Sequence, residues 1–215
     1  MPPPPILPPL FWRAAQVCKR DRRTAERLSA AVTGSYLVRE AGATYNRLVW
    51  ARPDGSYETY DKRHLFRMAG EHRHVAAGAR KLIVELHGWR ICPLVCYDLR
   101  FPVWSRNRIG TAEEYDILLY VANWPAPRRR AWKTLLEARA IENLCYCAGV
   151  NRVGSDARDN EYAGDSAVHD WLGNLLTEPV TGEAMITAVL ERAPLEAYRA
   201  RFPAHLDADV FRIES

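Results

Sequence analysis

A cysteine at the end of an apolar run is the residue of this sequence best placed to do covalent chemistry. Residues 91–95 are apolar, Cys96 follows them, and the chain then turns polar with Asp98 and Pro102, a pattern typical of the approach to a helix. We therefore predict that Cys96 lies at a strand-to-helix elbow, where backbone N–H groups can stabilise an oxyanion. The alternative is a small core residue, since free cysteines are usually buried.

Alternating strands and helices are predicted on both sides of this elbow. Such alternation indicates an α/β layer structure in which loops at the strand ends form the site. A closing hairpin is predicted at residues 166–176, and residues 102–114 are predicted to be partly helical. The other predicted strands are 31–38, 45–51, 56–60, 82–86, 91–95, 115–122, 144–150 and 186–190, and the other helices are 11–31, 128–143 and 194–202.

Length and composition indicate a single domain. The chain has 215 residues, of which 48% are hydrophobic and 26% are charged, as is typical of a globular protein. Proline occupies six of the first nine positions, so residues 1–10 are predicted to be disordered, because proline excludes both a helix and a central strand there. We assign residues 11–209 to the domain and residues 210–215 to a tail.

The net charge and the positions of the cysteines argue against several kinds of partner and of bound metal. The net charge is only +4 and the basic residues are spread along the chain, which argues against nucleic acid or a membrane as a partner. The five cysteines are odd in number and lie mostly in apolar runs, so they are not a disulfide framework, and no Cys or His set has zinc-ligand spacing. No membrane-spanning run or signal peptide is visible. We expect a cytoplasmic protein without a metal.

Four short motifs follow one another along the chain. They are Asp61-Lys-Arg-His-Leu-Phe66, Val95-Cys-Tyr-Asp-Leu-Arg-Phe-Pro102, Tyr120-Val-Ala-Asn-Trp-Pro125, and Ala138-Arg-Ala-Ile-Glu-Asn143 followed by Gly149-Val-Asn-Arg152. In this order they resemble the motifs of the nitrilase superfamily, the carbon-nitrogen hydrolases. The tract Tyr162-Ala-Gly-Asp-Ser166 and the ending at 201–209 resemble the omega-amidase-like branch, so the resemblance covers roughly residues 32–209. A serine hydrolase is disfavoured, because the sequence lacks a Gly-x-Ser-x-Gly elbow.

The resemblance implies a fold and a mechanism. The fold is an α/β structure of the four-layer α-β-β-α sandwich type, and the implied assembly is a homodimer. The implied reaction is hydrolysis of a small omega-amide, through a thioester on a Cys-Lys-Glu triad, with release of ammonia and with no cofactor. Cys96 matches the nucleophile and Lys62 matches the lysine that favours the thiolate. The backbone N–H of Tyr97 matches an oxyanion donor.

Four further residues are candidates for the same site. Glu71 resembles a second glutamate of the family that lies near the lysine and orients the site; a hydrated loop carboxylate is the alternative. Asn123 and Trp124 follow a buried strand and are expected to line the substrate pocket, although most tryptophans simply pack. His64 is expected near the mouth of the site or in a structural hydrogen bond.

One element of the family pattern has no counterpart in this sequence. The resemblance implies a general-base glutamate in a Pro-Glu context before the first long helix, and none of the acidic residues that precede Lys62 corresponds to it. We therefore expect the domain to be incomplete at its N-terminus and its activity to be impaired, since removing a general base costs about 100- to 10,000-fold in rate. Glu71 would need a shift of position to replace it. The alternative function is a non-catalytic remnant that acts as a binding or oligomerising module.

Overall fold

The chain folds into a mixed α/β structure, which the computed structural model describes for residues 10–178, 180 and 182–214, with side chains from residue 18 onwards. It forms two units, Met1–Arg80 and Lys81–Ser215. Residues 1–9, which make up most of the segment predicted to be disordered, lie outside the described residues. The assignment of 11–209 to one domain and of 210–215 to a tail stays a prediction.

The first unit is a helix followed by an antiparallel meander. Helix α1 spans Leu10–Leu28, and the strands are β1 (Val32–Glu40), β2 (Ala43–Ala51) and β3 (Tyr57–Asp61), in the order β1-β2-β3. The tight turn before β3 contains Gly55, whose positive φ of 81° suits glycine. A small core of Ala25, Val49 and Ala51 joins the helix to the meander. Two short 3₁₀ helices follow, at Arg67–Ala69 and Glu71–Arg73.

The second unit is built on a five-stranded sheet. Its strands are β4 (Val84–Leu86), β5 (Trp89–Val95), β6 (Ile117–Ala122), β7 (Tyr146–Asn151) and β10 (Ala167–His169), in the order β10-β7-β6-β5-β4. The central strands β5, β6 and β7 are parallel, and the two edge strands are antiparallel to their neighbours. A separate hairpin, β8–β9, pairs Val153–Ser155 with Glu161–Ala163.

Helices of the second unit lie between and after the strands. The short α2 (Pro102–Ser105) follows the elbow, α3 (Arg129–Asn143) connects β6 to β7, and α4 (Arg192–Arg201) comes near the end. Buried Trp132 and Leu136 of α3 pack on Gly149 of β7, where an added Cβ would lie only 2.5 Å from a Leu136 methyl carbon. This close approach explains the glycine in an otherwise apolar strand.

Two arginines anchor helix α4 to the sheet. Arg199 donates to Asp116 at 2.9 Å and to the carbonyl oxygens of Leu144 and Tyr115 at 2.9 and 2.8 Å. Arg192 lies over the ring of Trp89, 4.4 Å from its centroid, and forms a second ion pair with Asp116 at 3.3 Å. Because Asp116 is buried just before β6, these contacts attach α4 to the start of a central strand.

One prediction of secondary structure was wrong. Residues 186–190 form no strand, and the side chain of Met185 just before them is 94% exposed, because a strand-like pattern does not by itself supply a pairing partner. The prediction that residues 102–114 are partly helical is confirmed, and the helix spans Pro102–Ser105. The helix stops there because the Asn107 side chain donates to the carbonyls of Tyr115 and Asn143, which holds the following segment in a loop.

The other predicted strands and helices are found close to their predicted positions.

No helix in the described part of the chain combines the length and the apolar character needed to cross a membrane.

Candidate active site

Strand β5 presents Cys96 at the carboxyl end of the parallel sheet. Cys96 directly follows Val95 and begins the 3₁₀ helix Cys96–Arg100, so it lies at the predicted strand-to-helix elbow. Its φ of 46° is left-handed, which costs a non-glycine residue on the order of 1 kcal/mol and often marks a functional turn. The thiol is partly exposed, and its Sγ lies 3.9 Å from the carbonyl oxygen of Asn123.

Buried polar groups hold the elbow in shape. Asp98 is fully buried, and its carboxylate accepts a hydrogen bond of 3.1 Å from the backbone N–H of Val95. Arg139 of α3 donates to the carbonyl oxygen of Leu99 at 2.7 Å and pairs with Glu142 at 2.9 Å. The sequence alone indicates no role for Arg139, although it lies in the motif Ala138–Asn143. The available signal was only its place between Ala138 and Ala140 in a predicted helix with an apolar face.

The Tyr97 side chain packs beside the elbow. Its ring meets that of Phe101 edge-on, with centroids 5.1 Å apart. Its backbone belongs to the same 3₁₀ helix as Cys96, next to the thiol in the chain. That its N–H binds an oxyanion stays a prediction.

The loop after β6 lies next to the thiol and is tied down by Asn151. The Asn151 side chain accepts from the Trp124 N–H at 2.7 Å and donates to the carbonyls of Trp124 and Gly164 at 3.2 and 2.8 Å. Asn123 is exposed, whereas Trp124 is only 3% exposed and donates its indole N–H to the carbonyl of Arg128 at 2.9 Å. The sequence did not identify Asn151 as the organiser of this loop. An amide side chain at the end of a buried strand was the available signal.

In the first unit a buried lysine forms an ion pair with a glutamate. Lys62 directly follows β3 and is 3% exposed, and its Nζ lies 2.6 Å from Oε2 of Glu71. Glu71 also accepts hydrogen bonds from the backbone N–H of Phe66 at 2.6 Å and from the side chain of Asn46 at 3.2 Å. Glu71 is therefore an ion-paired carboxylate and not a hydrated one.

The environment keeps the Glu71 carboxyl ionised. Burial alone would raise the pKa of the Glu71 carboxyl. The charge of Lys62 and the hydrogen bonds from Lys62, Phe66 and Asn46 outweigh burial, so the pKa of Glu71 falls below its ordinary value. His64, two residues after Lys62, is partly exposed, and its predicted contact with substrate stays a prediction.

The predicted residues are divided between the two units. Lys62 and Glu71 are brought together in the first unit, and Cys96 is brought to Asn123 in the second. Among residues 10–178, 180 and 182–214, no group of three His, Cys, Asp or Glu side chains is arranged to hold a metal ion. The described side chains present a partly exposed thiol at Cys96 and a buried lysine that is paired with Glu71.

Comparisons with known proteins connect these features to one family. Residues 3–200 match the family of carbon-nitrogen hydrolases. The chain is 50% identical over 191 residues to an omega-amidase, YafV, of Yersinia enterocolitica, covering 88% of this chain and 73% of that protein. It is 38% identical over 177 residues to a 2-oxoglutaramate amidase of Bacillus subtilis, covering 82% of this chain and 67% of that protein.

Solved structures agree with this assignment. A CN-hydrolase superfamily protein of Xanthomonas campestris, solved with an arsenic adduct in its active site, superposes with a TM-score of 0.88. It is 51% identical, and the match covers 92% of this chain and 76% of that one. A carbon-nitrogen hydrolase of Helicobacter pylori shares the fold with a TM-score of 0.83 at 21% identity, covering 93% and 74%. The chain therefore belongs to the carbon-nitrogen hydrolase family and is a hydrolase of carbon-nitrogen bonds other than peptide bonds.

Proposed function

We propose that this protein is an amidase that hydrolyses a small omega-amide through a thioester on Cys96 and releases ammonia. The observation that carries the proposal is the presentation of the Cys96 thiol at a left-handed elbow, partly exposed at the carboxyl end of a parallel sheet. The substrate class is supported by the relatives, which are named omega-amidase and 2-oxoglutaramate amidase. Because the thiol itself supplies the nucleophile, the reaction needs no cofactor.

Acylation begins when the Cys96 thiolate attacks the amide carbonyl carbon. The carbonyl electron pair moves to oxygen, and the backbone N–H of Tyr97 donates to the resulting oxyanion. When the carbon-oxygen double bond re-forms, the carbon-nitrogen bond breaks. The nitrogen takes up, through solvent water, the proton that the thiol released on ionisation. Ammonia then departs, and the acyl group stays on the sulfur as a thioester. A water molecule then attacks the thioester, the carbon-sulfur bond breaks, and the carboxylic acid and the free thiol are released.

Lys62 is the cation that we assign to this reaction. Its ammonium group stabilises the thiolate and the oxyanion electrostatically, as the family resemblance implies. We assign Glu71 to orienting Lys62, because a carboxylate of lowered pKa that already accepts three hydrogen bonds is a poor general base. Glu71 is thus a positioning residue in this proposal.

The remaining candidates are assigned to the substrate and its surroundings. Asn123 contacts the substrate beside the thiol, and Trp124 supports that loop from its buried position. His64 contacts the substrate from the segment that carries Lys62. We further propose that the enzyme is a cytoplasmic homodimer that acts on a free small molecule and has no nucleic-acid or membrane partner. The small net charge of +4 and the family resemblance support this.

The test compares amide hydrolysis by the unaltered protein with hydrolysis by two variants that each lack one cysteine. Ammonia release from succinamate and glutaramate is measured for the unaltered protein, for Cys96→Ala and for the matched control Cys18→Ala, in which a partly exposed cysteine of α1 is removed. We expect turnover to be abolished in Cys96→Ala and retained in Cys18→Ala. Retained turnover in Cys96→Ala would show that the thiol is not the nucleophile.

Alkylation by iodoacetamide near neutral pH tests the same thiol without requiring turnover. We expect Cys96 to react faster than Cys18. The other three cysteines are buried, and burial raises the pKa of Cys92 to about 12 and also raises the pKa values of Cys145 and Cys147, so these thiols should react only after unfolding. If no amide is hydrolysed and Cys96 reacts no faster than Cys18, the protein is a non-catalytic member of the fold.

A further inference from the structure

An arginine lies just before the β8–β9 hairpin, at the end of the sheet that carries the thiol. Arg152 lies between β7 and β8, and its backbone N–H donates to the carbonyl of Ala122 at 3.1 Å. Ala122 is the last residue of β6 and directly precedes Asn123, whose carbonyl oxygen lies 3.9 Å from Sγ of Cys96. The backbone of Arg152 is therefore fixed one residue away from the contact partner of the nucleophile.

The Arg152 side chain is held against Tyr162, which lies across the hairpin. The guanidinium carbon is 4.9 Å from the centroid of the Tyr162 ring, and one guanidinium nitrogen donates to the carbonyl of Ser155 at 2.7 Å. The Tyr162 hydroxyl donates to Asp156 at 2.9 Å, and the Asp156 carboxylate also accepts bonds from backbone N–H groups of the hairpin turn. Arg152 thus lies on a ring that is itself fixed in orientation.

The surroundings of the Tyr162 phenol disfavour its ionisation. Burial raises the pKa of the Tyr162 phenol, as do the hydrogen bond to Asp156 and its negative charge. Arg152 opposes the rise, and Cys96 adds to it. The phenol therefore stays protonated at neutral pH and keeps its hydrogen bond to Asp156.

Arg152 has donors available for a ligand. A guanidinium group carries five N–H donors, and the hydrogen bond to Ser155 uses one of them. In the part of the chain that the structure describes, no carboxylate forms an ion pair with Arg152, and the residue is exposed. Arginine in a fixed orientation is well suited to bind a carboxylate through two parallel hydrogen bonds.

We propose that Arg152, positioned by Tyr162, binds the carboxylate at the end of the substrate opposite to the scissile amide and thereby selects amides that carry an acid group. This inference rests on the proposed function, since an omega-amide has a carboxylate at that end. Arg152 is then a substrate-binding residue, and Tyr162 is a positioning residue that restricts its motion.

The test separates recognition of the carboxylate from catalysis. Values of kcat/KM are measured for glutaramate and for pentanamide, an amide with the same number of carbons in which a methyl group replaces the carboxylate. In Arg152→Met we expect kcat/KM for glutaramate to fall about 10- to 100-fold, mainly through KM, because a hydrogen-bonded charge is lost. The value for pentanamide should change less than about twofold. Arg158→Met, in the exposed turn of the same hairpin, is the matched control and should leave both values unchanged.

A binding readout keeps the test independent of turnover. Glutaramate should slow the alkylation of Cys96 by iodoacetamide in the unaltered protein, and this protection should be lost in Arg152→Met. If protection is the same in both proteins, the inference is wrong even when the amidase proposal stands. If the unaltered protein hydrolyses neither amide but shows the expected protection, the amidase proposal fails and the binding site stands.

A second arginine is the alternative candidate for binding the substrate carboxylate. Arg100 belongs to the 3₁₀ helix that begins at Cys96, and its guanidinium lies 4.9 Å from the centroid of the buried Trp124 ring. If Arg100→Met abolishes the preference for glutaramate and Arg152→Met does not, the carboxylate is bound by Arg100 and our assignment is wrong. An equal loss of kcat/KM for both amides in Arg152→Met would also overturn it, because that result indicates only a structural role for the hairpin.

Discussion

The buried ion pair between Lys62 and Glu71 makes a strong prediction about stability. Glu71→Gln removes the counter-charge of an ammonium group whose side chain is 4% exposed and whose contact distance is 2.6 Å. Breaking a fully buried pair costs about 3–5 kcal/mol. The Glu71 side chain is 16% exposed, and glutamine keeps an oxygen that accepts from Phe66. We therefore expect the free energy of unfolding to fall by about 2–3 kcal/mol at neutral pH.

The pH dependence of this loss has a definite sign. The pKa of Glu71 is lower in the folded protein than its ordinary value, so the folded state favours the ionised carboxylate. The stability that Glu71 contributes is therefore complete above its unfolded pKa of about 4.3 and is lost as the pH falls through the lower folded pKa. The difference in stability between the unaltered protein and Glu71→Gln should be constant from about pH 6 to 8 and shrink below about pH 4.

Urea unfolding of four proteins measures the effect. They are the unaltered chain, Lys62→Met, Glu71→Gln and the double variant, and we expect a coupling energy of about 1.5–3 kcal/mol between the two sites. Glu40→Gln is the matched control. Glu40 forms an ion pair with Arg47 at 2.8 Å, but its side chain is 61% exposed, so the loss should stay below about 1 kcal/mol. A loss in Glu71→Gln no larger than in Glu40→Gln, or additive effects in the double variant, would refute the reasoning.

Two further substitutions test the packing of α3 on β7 and the attachment of α4 to the sheet. Both effects are measured by thermal or urea unfolding. Gly149→Ala should destabilise by about 1–3 kcal/mol, because the new methyl group would lie 2.5 Å from a side-chain carbon of α3. Gly34→Ala, in β1, meets no atom within 4 Å and should lose much less; equal effects would contradict the packing argument. Arg199→Met should cost about 2–4 kcal/mol, because it leaves a buried aspartate and two carbonyls without this donor. The control Arg201→Met, at an exposed position of the same helix, should change stability by less than about 0.5 kcal/mol, and a comparable loss there would contradict the assigned role of Arg199.

The elbow at Cys96 was predictable because its signals are local. An apolar run that ends at a polar turn predicts both the strand and its end, and the structure confirms β5 up to Val95 and a helical turn from Cys96. The same kind of pattern failed at residues 186–190, where no strand forms. The difference is that β5 lies between β4 and β6 in the sheet, whereas an apolar run without a partner strand gains no hydrogen-bonded ladder.

The roles of Asn151 and Arg139 were not predictable from their neighbours in the chain. Asn151 bonds to a residue that lies 27 positions earlier, and Arg139 bonds to one 40 positions earlier. Hydrogen bonds of this range depend on how the strands are ordered in the sheet. A single sequence therefore indicates that such polar groups need partners but not which partners they have.

The amino-acid sequence by itself determined the family, the alternation of strands and helices and the position of the thiol at a turn, because each of these is written in short runs of neighbouring residues. Only the tertiary structure decided which carboxylate meets Lys62. The adjacent Asp61 pairs with Arg47 at 2.7 Å, and Glu71, nine residues further on, accepts the lysine instead. The physical reason is that an ion pair between buried side chains needs short distances and satisfied hydrogen bonds, which are set by the packing of separate segments and not by their spacing in the chain.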